Sequence, residues 1–241
     1  MTAPSRVLTA SRTLTAVKGK ALYHDGIDDY VNCGSDSSLD ITSQITIEVL
    51  VKAPAQDYKS LVDKYWCNPW CFELHNREYN PSTFYAMIYF ENAGTQEFYG
   101  PDNAYIPNTW NHAVLTYDGQ NVRMYNNGVN VYTSSDIVDT IAYHPGRTTY
   151  IGQTGDGERH LNGTIALVRI YERALSAAEV LYNKEHPYNP ILHGCVLWLG
   201  HDSIDEGAGM WYDKTSYGND GVIYGATAVE MNKLAGRVLS V

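Results

Sequence analysis

Between Asn108 and Val129 apolar and polar positions alternate with a period of two and are cut by turn residues. Trp110, His112, Val114 and Thr116 interleave with Asn111, Ala113, Leu115 and Tyr117, and Asp118-Gly119 follows. Val122, Met124 and Tyr125 then lead to a second turn at Asn126-Asn127-Gly128. Successive side chains of a strand point to opposite faces, and Asp-Gly or Asn-Gly between alternating runs favours a tight hairpin. The pattern predicts two antiparallel strands with one buried face. Ser176-Ala177-Ala178-Glu179 has capping-box spacing, so a short helix is expected over 177–184, stopped before Pro187.

These stretches resemble the laminin G-like (LamG) and pentraxin-like jelly-roll domains of the concanavalin A-like lectin/glucanase superfamily. The resemblance is carried by GKALYHDGIDDYV at 19–31, by Ile45–Val51, by the 108–129 hairpin, and by Leu161–Tyr171 with the following Ala174-Leu175-Ser176. It implies an all-β sandwich of two antiparallel sheets with one short helix. The segment 194–228, with its DKTSYGNDG loop, resembles the strand that opens the family's domain, yet here it comes last. The expected organisation is an extended arm over 1–18, a jelly-roll core over 19–188 and a completing segment over 189–241. Three arrangements fit: a circular permutation closed in cis, donation to a neighbouring subunit, or the start of a second repeat.

Composition narrows the function. The formal net charge is −10, with 17 Lys and Arg against 27 Asp and Glu, which argues against nucleic acid, since phosphate binding needs clustered cations. No run of about 18 apolar residues predicts a membrane span. MTAPSRVLTASRTLTAV lacks the apolar stretch of a signal peptide; the expected location is extracellular or on a virion surface. Of the four cysteines, Cys67 and Cys71 are spaced for a small disulfide loop or for two free thiols, and Cys33 and Cys195 fall in expected strands.

Catalysis is not expected. Glucanases of the superfamily place carboxylates at alternate positions of one strand, whereas 46–52 has a single carboxylate, Glu48, with Leu50 and Lys52 where partners would stand. Calcium is the cofactor implied by the resemblance. One candidate set joins Asp25 and Asp28 to Asp213 and Asn219; another lies at Gln153 and Asp156, in a segment like the pentraxin G-Q-x-x-D. The same Asp and Asn residues also serve as turn formers. Thr154-Gly155 and Ala166-Leu167 depart from the family's ligand pattern.

For a carbohydrate, whose apolar faces stack on aromatic rings, the candidate residues are Trp66, Trp70, His75, Arg77 and Tyr79, with Tyr58 close by. Packing of Trp66 and Trp70 beneath their loop is the competing reading. The functional expectation is a non-catalytic surface structural or adhesion protein, such as a virion-surface or assembly component, that self-associates and recognises glycans or a protein partner. The alternative is a secreted calcium-dependent lectin module, and a glycoside hydrolase comes last.

Overall fold

The computed structural model describes residues 19–64, 69–77 and 80–231, with the side chains of 75–77 and 80–81 left aside. The expected arm over 1–18 lies outside the described residues. The strands are β1 (Lys20–Asp25), β2 (Tyr30–Asn32), β3 (Ile45–Lys52), β4 (Lys59–Lys64), β5 (Trp70–Arg77), β6 (Asn80–Phe90), β7 (Gly94–Tyr99) and β8 (Trp110–Tyr117). They continue as β9 (Val122–Asn126), β10 (Val129–Thr133), β11 (Thr149–Ile151), β12 (Asn162–Tyr171), β13 (Cys195–Asp205), β14 (Met210–Asp213), β15 (Gly221–Tyr224) and β16 (Thr227–Glu230). One helix, α1 (Ala177–Glu185), lies between β12 and β13.

Hydrogen-bonded neighbours run β10-β9-β8-β3-β12-β13-β14-β15-β2-β11-β4-β5-β6-β7, with β1 between β12 and β16. The path folds into two layers whose inner faces share one core. From the first layer come Ile45, Ile47, Val49 and Val51 of β3, Ala113, Leu115 and Tyr117 of β8, and Ile165, Val168 and Ile170 of β12. From the second come Trp70, Phe72 and Leu74 of β5 and Phe84, Ala86, Ile88 and Phe90 of β6. Every second residue of these strands points inward, as the period of a pleated strand requires, except at an irregularity of β12 between Ile165 and Leu167. The fold is therefore an all-β sandwich of two antiparallel layers, as the family resemblance implies.

The hairpin forms in the expected register, with Tyr117 opposite Val122 and Val114 opposite Tyr125. The helix begins at the expected cap. The Ser176 side chain accepts from the Glu179 backbone, and the Glu179 carboxylate accepts from the Ser176 backbone. The C-terminal strands pair within this chain: β13 lies antiparallel to β12, β15 to β2 and β16 to β1.

Candidate functional site

Strand alternation leaves a second, outward row on the second layer. On β5 the inward Trp70, Phe72 and Leu74 alternate with Cys71 and Glu73. Cys71 stands opposite Met87 of β6, and Glu73 opposite Tyr85. Tyr85 is in turn opposite Tyr99 of β7, and Met87 opposite Glu97. Cys71, Tyr85, Met87 and Tyr99 form their own apolar cluster, separate from the inter-sheet core. The Tyr85 and Tyr99 rings lie 5.0 Å apart, and the Tyr99 hydroxyl donates to Glu97 Oε2 at 2.9 Å.

Two loops close over one end of this row. Tyr58, between β3 and β4, sets its ring edge-on to Tyr85 at 6.0 Å. Arg159, between β11 and β12, lies over the Tyr58 ring at 4.8 Å. Arg159 Nη1 donates to both oxygens of Glu73, at 2.9 and 2.8 Å. The Arg159 carbonyl accepts from the Ser60 backbone at 3.0 Å, which ties the two loops together. Both residues are left-handed, with φ of 44° at Tyr58 and 51° at Arg159. A non-glycine residue pays roughly 1–2 kcal/mol for that conformation, so surrounding contacts must hold it there.

Burial pushes the Glu73 carboxyl above the ordinary carboxylate range, against the pull of Arg159; the charges of Asp156 and Asp57 push the same way as burial. Burial also raises the Tyr85 phenol, with Glu97, Tyr99 and Glu73 adding to the shift. Beside Arg159, Asp63 Oδ1 accepts from the Gly155 backbone at 2.9 Å, docking the 152–159 loop onto β4. Tyr85 and Glu73 are buried beneath this end, so the parts that reach solvent are Tyr58, Tyr99 and the pinned Arg159, with exposed carboxylates at their border. This surface can stack an apolar ring face and exchange hydrogen bonds with hydroxyls.

The expected carbohydrate residues reach this region unequally. Trp66 and Tyr79 lie outside the described residues, while His75 and Arg77 are on β5. Trp70 is a correction. Its side chain is 0% exposed in the inter-sheet core, because it occupies an inward position of β5 with Phe72 and Leu74. The alternation of Trp70-Cys71-Phe72-Glu73-Leu74 carries that signal. Tyr58 does join the site. Glu73, Tyr85, Tyr99 and Arg159 carry no joint signal in the sequence, since four separate elements bring them together.

Among the metal candidates, the ligand oxygens of Asp25, Asp28 and Asp29 lie within 4.8 Å of one another. Asp29 Oδ2 accepts from the Asp25 backbone and Asp25 Oδ1 from the Ile27 backbone, both at 2.8 Å. Burial raises the Asp29 carboxyl, and Asp25 and Asp28 raise it further. Asp213 is a second correction. Its Oδ1 accepts from the Trp198 and Thr215 backbones, and its Oδ2 from the Thr215 hydroxyl and the Asn219 backbone. Those four donors use the roughly four acceptor sites of a carboxylate, so none remains for a cation. Asn219 donates to Val196 O and Ser38 Oγ and packs its loop onto β13. Asp156 accepts from the Thr154 hydroxyl at 2.6 Å, and Gln153 is buried.

A further polar cluster sits on the outer face of the first layer, sealed by α1. Glu48 Oε1 lies 2.5 Å from His112 Nε2 and accepts from Arg169 Nη1 at 2.8 Å, while its Oε2 accepts from Asn183 Nδ2 at 3.0 Å. Arg169 also donates to Pro187 O, Tyr171 to Ile191 O, and the Ile191 backbone to Asn183. Burial alone would raise the Glu48 carboxyl, but Arg169 and His112 outweigh it and hold it at about 2. This network clamps the helix and the chain that follows it. Glu48, the only carboxylate of β3, is fully buried within it.

A laminin-G profile described as the concanavalin A-like lectin/glucanases superfamily matches residues 25–181. The chain belongs to this superfamily. Among solved structures it is similar to a candidate carbohydrate binding protein from Bacteroides ovatus, at 21% identity and a TM-score of 0.67. That match covers 88% of this chain and 60% of the Bacteroides protein, so the chain spans about three fifths of that relative. It is also similar to the heptameric SAP-like pentraxin of Limulus polyphemus, at 14% identity and a TM-score of 0.53, over 69% of this chain and 82% of that one. At these identities the likeness shows the shared fold. No curated protein sequence matches the chain.

Proposed function

We propose that this superfamily member is a non-catalytic carbohydrate-binding domain. Its ligand face is the outer surface of the second layer at Tyr58, Tyr99 and Arg159, over the buried Tyr85 and Glu73. The observation that carries the reading is the Tyr58–Arg159 pair. Two adjacent loops each hold a non-glycine residue left-handed, and the strain brings a guanidinium onto an aromatic ring above a buried carboxylate. Strain kept at a surface marks a place built for contact. Aromatic faces beside fixed polar groups suit the alternating apolar and hydroxylated surfaces of a sugar ring. The carbohydrate-binding description of the Bacteroides relative points the same way.

A glycan microarray tests it. The native chain is expected to retain a defined set of glycans, and Tyr99→Ala and Tyr58→Ala to lose them while staying folded by circular dichroism. Undiminished binding by both variants would remove this face as the site.

Calcium at Asp25, Asp28 and Asp29 is a second part of the reading, supported by the convergence of three carboxylates at one rim. Calcium takes six to eight oxygens, so waters or backbone carbonyls would complete its shell. An extracellular setting is supported by Cys71, which is disulfide-bonded, since such bonds persist mainly in oxidising compartments. Cys33 and Cys195 are free, buried thiols.

A further inference from the structure

The charges around the aromatic face narrow its ligands further. Among the described residues Arg159 is the cation at the centre of the face, and its Nη1 donates to both oxygens of Glu73. Carboxylates surround this pair. Asp57 and Asp156 act electrostatically on Glu73, and Glu97 acts on Tyr85. Asp57, Glu97 and Asp156 are exposed, so their charges stand at the border where a ligand would enter. The whole chain adds the same sign, with a formal net charge of −10. An arriving anion therefore meets a guanidinium already neutralised and a ring of like charge. A hydroxyl meets the opposite situation, because carboxylates are strong acceptors for the hydroxyl groups of a neutral sugar.

Resting on the carbohydrate reading above, we propose that the Tyr58–Arg159 face selects uncharged glycans and rejects those bearing carboxylate or sulfate groups. The Glu73–Arg159 pair gives the selectivity its direction. Arginine is the residue best suited to grip carboxylates in a two-point contact. Here Nη1 is turned inward onto both oxygens of Glu73 and the guanidinium lies over the Tyr58 ring, so its charge is balanced before an anion arrives. The remaining repulsion is electrostatic and acts through solvent, so salt weakens it over a Debye length of about 8 Å at physiological ionic strength.

The experiment is a microarray of matched glycans, each neutral structure printed beside its sialylated, uronic-acid or sulfated counterpart, read at low and at physiological salt. Neutral glycans are expected to bind, with acidic counterparts about tenfold weaker at low salt and the gap narrowing as salt rises. In Glu97→Gln, which removes one exposed border charge, the acidic counterparts are expected to gain relative to the neutral ones. Acidic glycans retained as tightly as their neutral partners by the native chain, with binding still lost in Tyr99→Ala, would overturn the selectivity and leave the carbohydrate reading standing. Retention of no glycan of either class would overturn both.

Discussion

Acidification should loosen this sandwich below about pH 6.5, and the buried His24 and His201, both held down to about 4, are two reasons. His24 lies inward on β1, fully buried, with its ring close against Gly152. Burial lowers its pKa from 6.5 to about 4, against smaller opposing contributions from the Leu22 and Gly163 backbones and from Asp25. In the unfolded chain the same ring takes a proton near its ordinary value of about 6.5. Between those limits the unfolded state binds the extra proton, so stability is full above about pH 6.5 and is lost as pH falls towards 4. The whole interval is worth about 3 kcal/mol, and about 2 kcal/mol of it is gone by pH 5. Urea unfolding of the native chain and of His24→Leu at pH 7 and pH 5 isolates this contribution. Raised carboxylates such as Glu73 and Asp29 act with the opposite sign, but they are common to both proteins. The loss between the two pH values should be smaller in His24→Leu by about 2 kcal/mol. Equal losses in the two proteins, within about 0.5 kcal/mol, would refute the argument that burial holds His24 neutral.

Glu48→Gln should destabilise the fold by about 3–5 kcal/mol in urea unfolding, because it leaves Arg169 buried without its carboxylate. The native loss of stability as pH falls from about 4.5 towards 2, where the depressed Glu48 carboxyl is protonated, should be flattened in that variant. Ser176→Ala removes the cap of α1 and should cost about 1 kcal/mol, read as a fall in melting temperature. Calcium should raise the melting temperature of the native chain, EDTA should reverse the rise, and Asp28→Asn should abolish it; calcium at a hundredfold its dissociation constant is worth about 2.7 kcal/mol. A native chain indifferent to both calcium and EDTA would remove the rim as a metal site.

The parts of the molecule legible in the sequence are those fixed by neighbours along the chain. Asp118-Gly119 and Asn127-Gly128 set the hairpin turns, and Ser176 with Glu179 sets the helix start, because each signal spans only a few residues. The candidate site had no such signal. Glu73, Tyr85 and Tyr99 come together through the pairing of β5 with β6 and β6 with β7, and Arg159 arrives from a loop far along the chain. Its left-handed backbone leaves no mark in residue type, since arginine is not a residue that favours that conformation. Trp70 departs from a ligand position for a related reason. A tryptophan beside Asn68-Pro69 looks like a loop aromatic, yet the strand begins at Trp70 itself and its pleat points the ring inward. Asp213 shows the same limit for metals: an oxygen-rich loop in sequence is, in space, a carboxylate filled by its own turn.

The most direct test of the carbohydrate-binding face is a backbone-amide NMR titration of the full chain with a neutral glycan taken from the array. The account predicts shift changes concentrated on β5 to β7, around Tyr58 and along 155–159. Changes confined to the α1 side of the first layer, or to the 25–29 rim, would place the ligand elsewhere and contradict it.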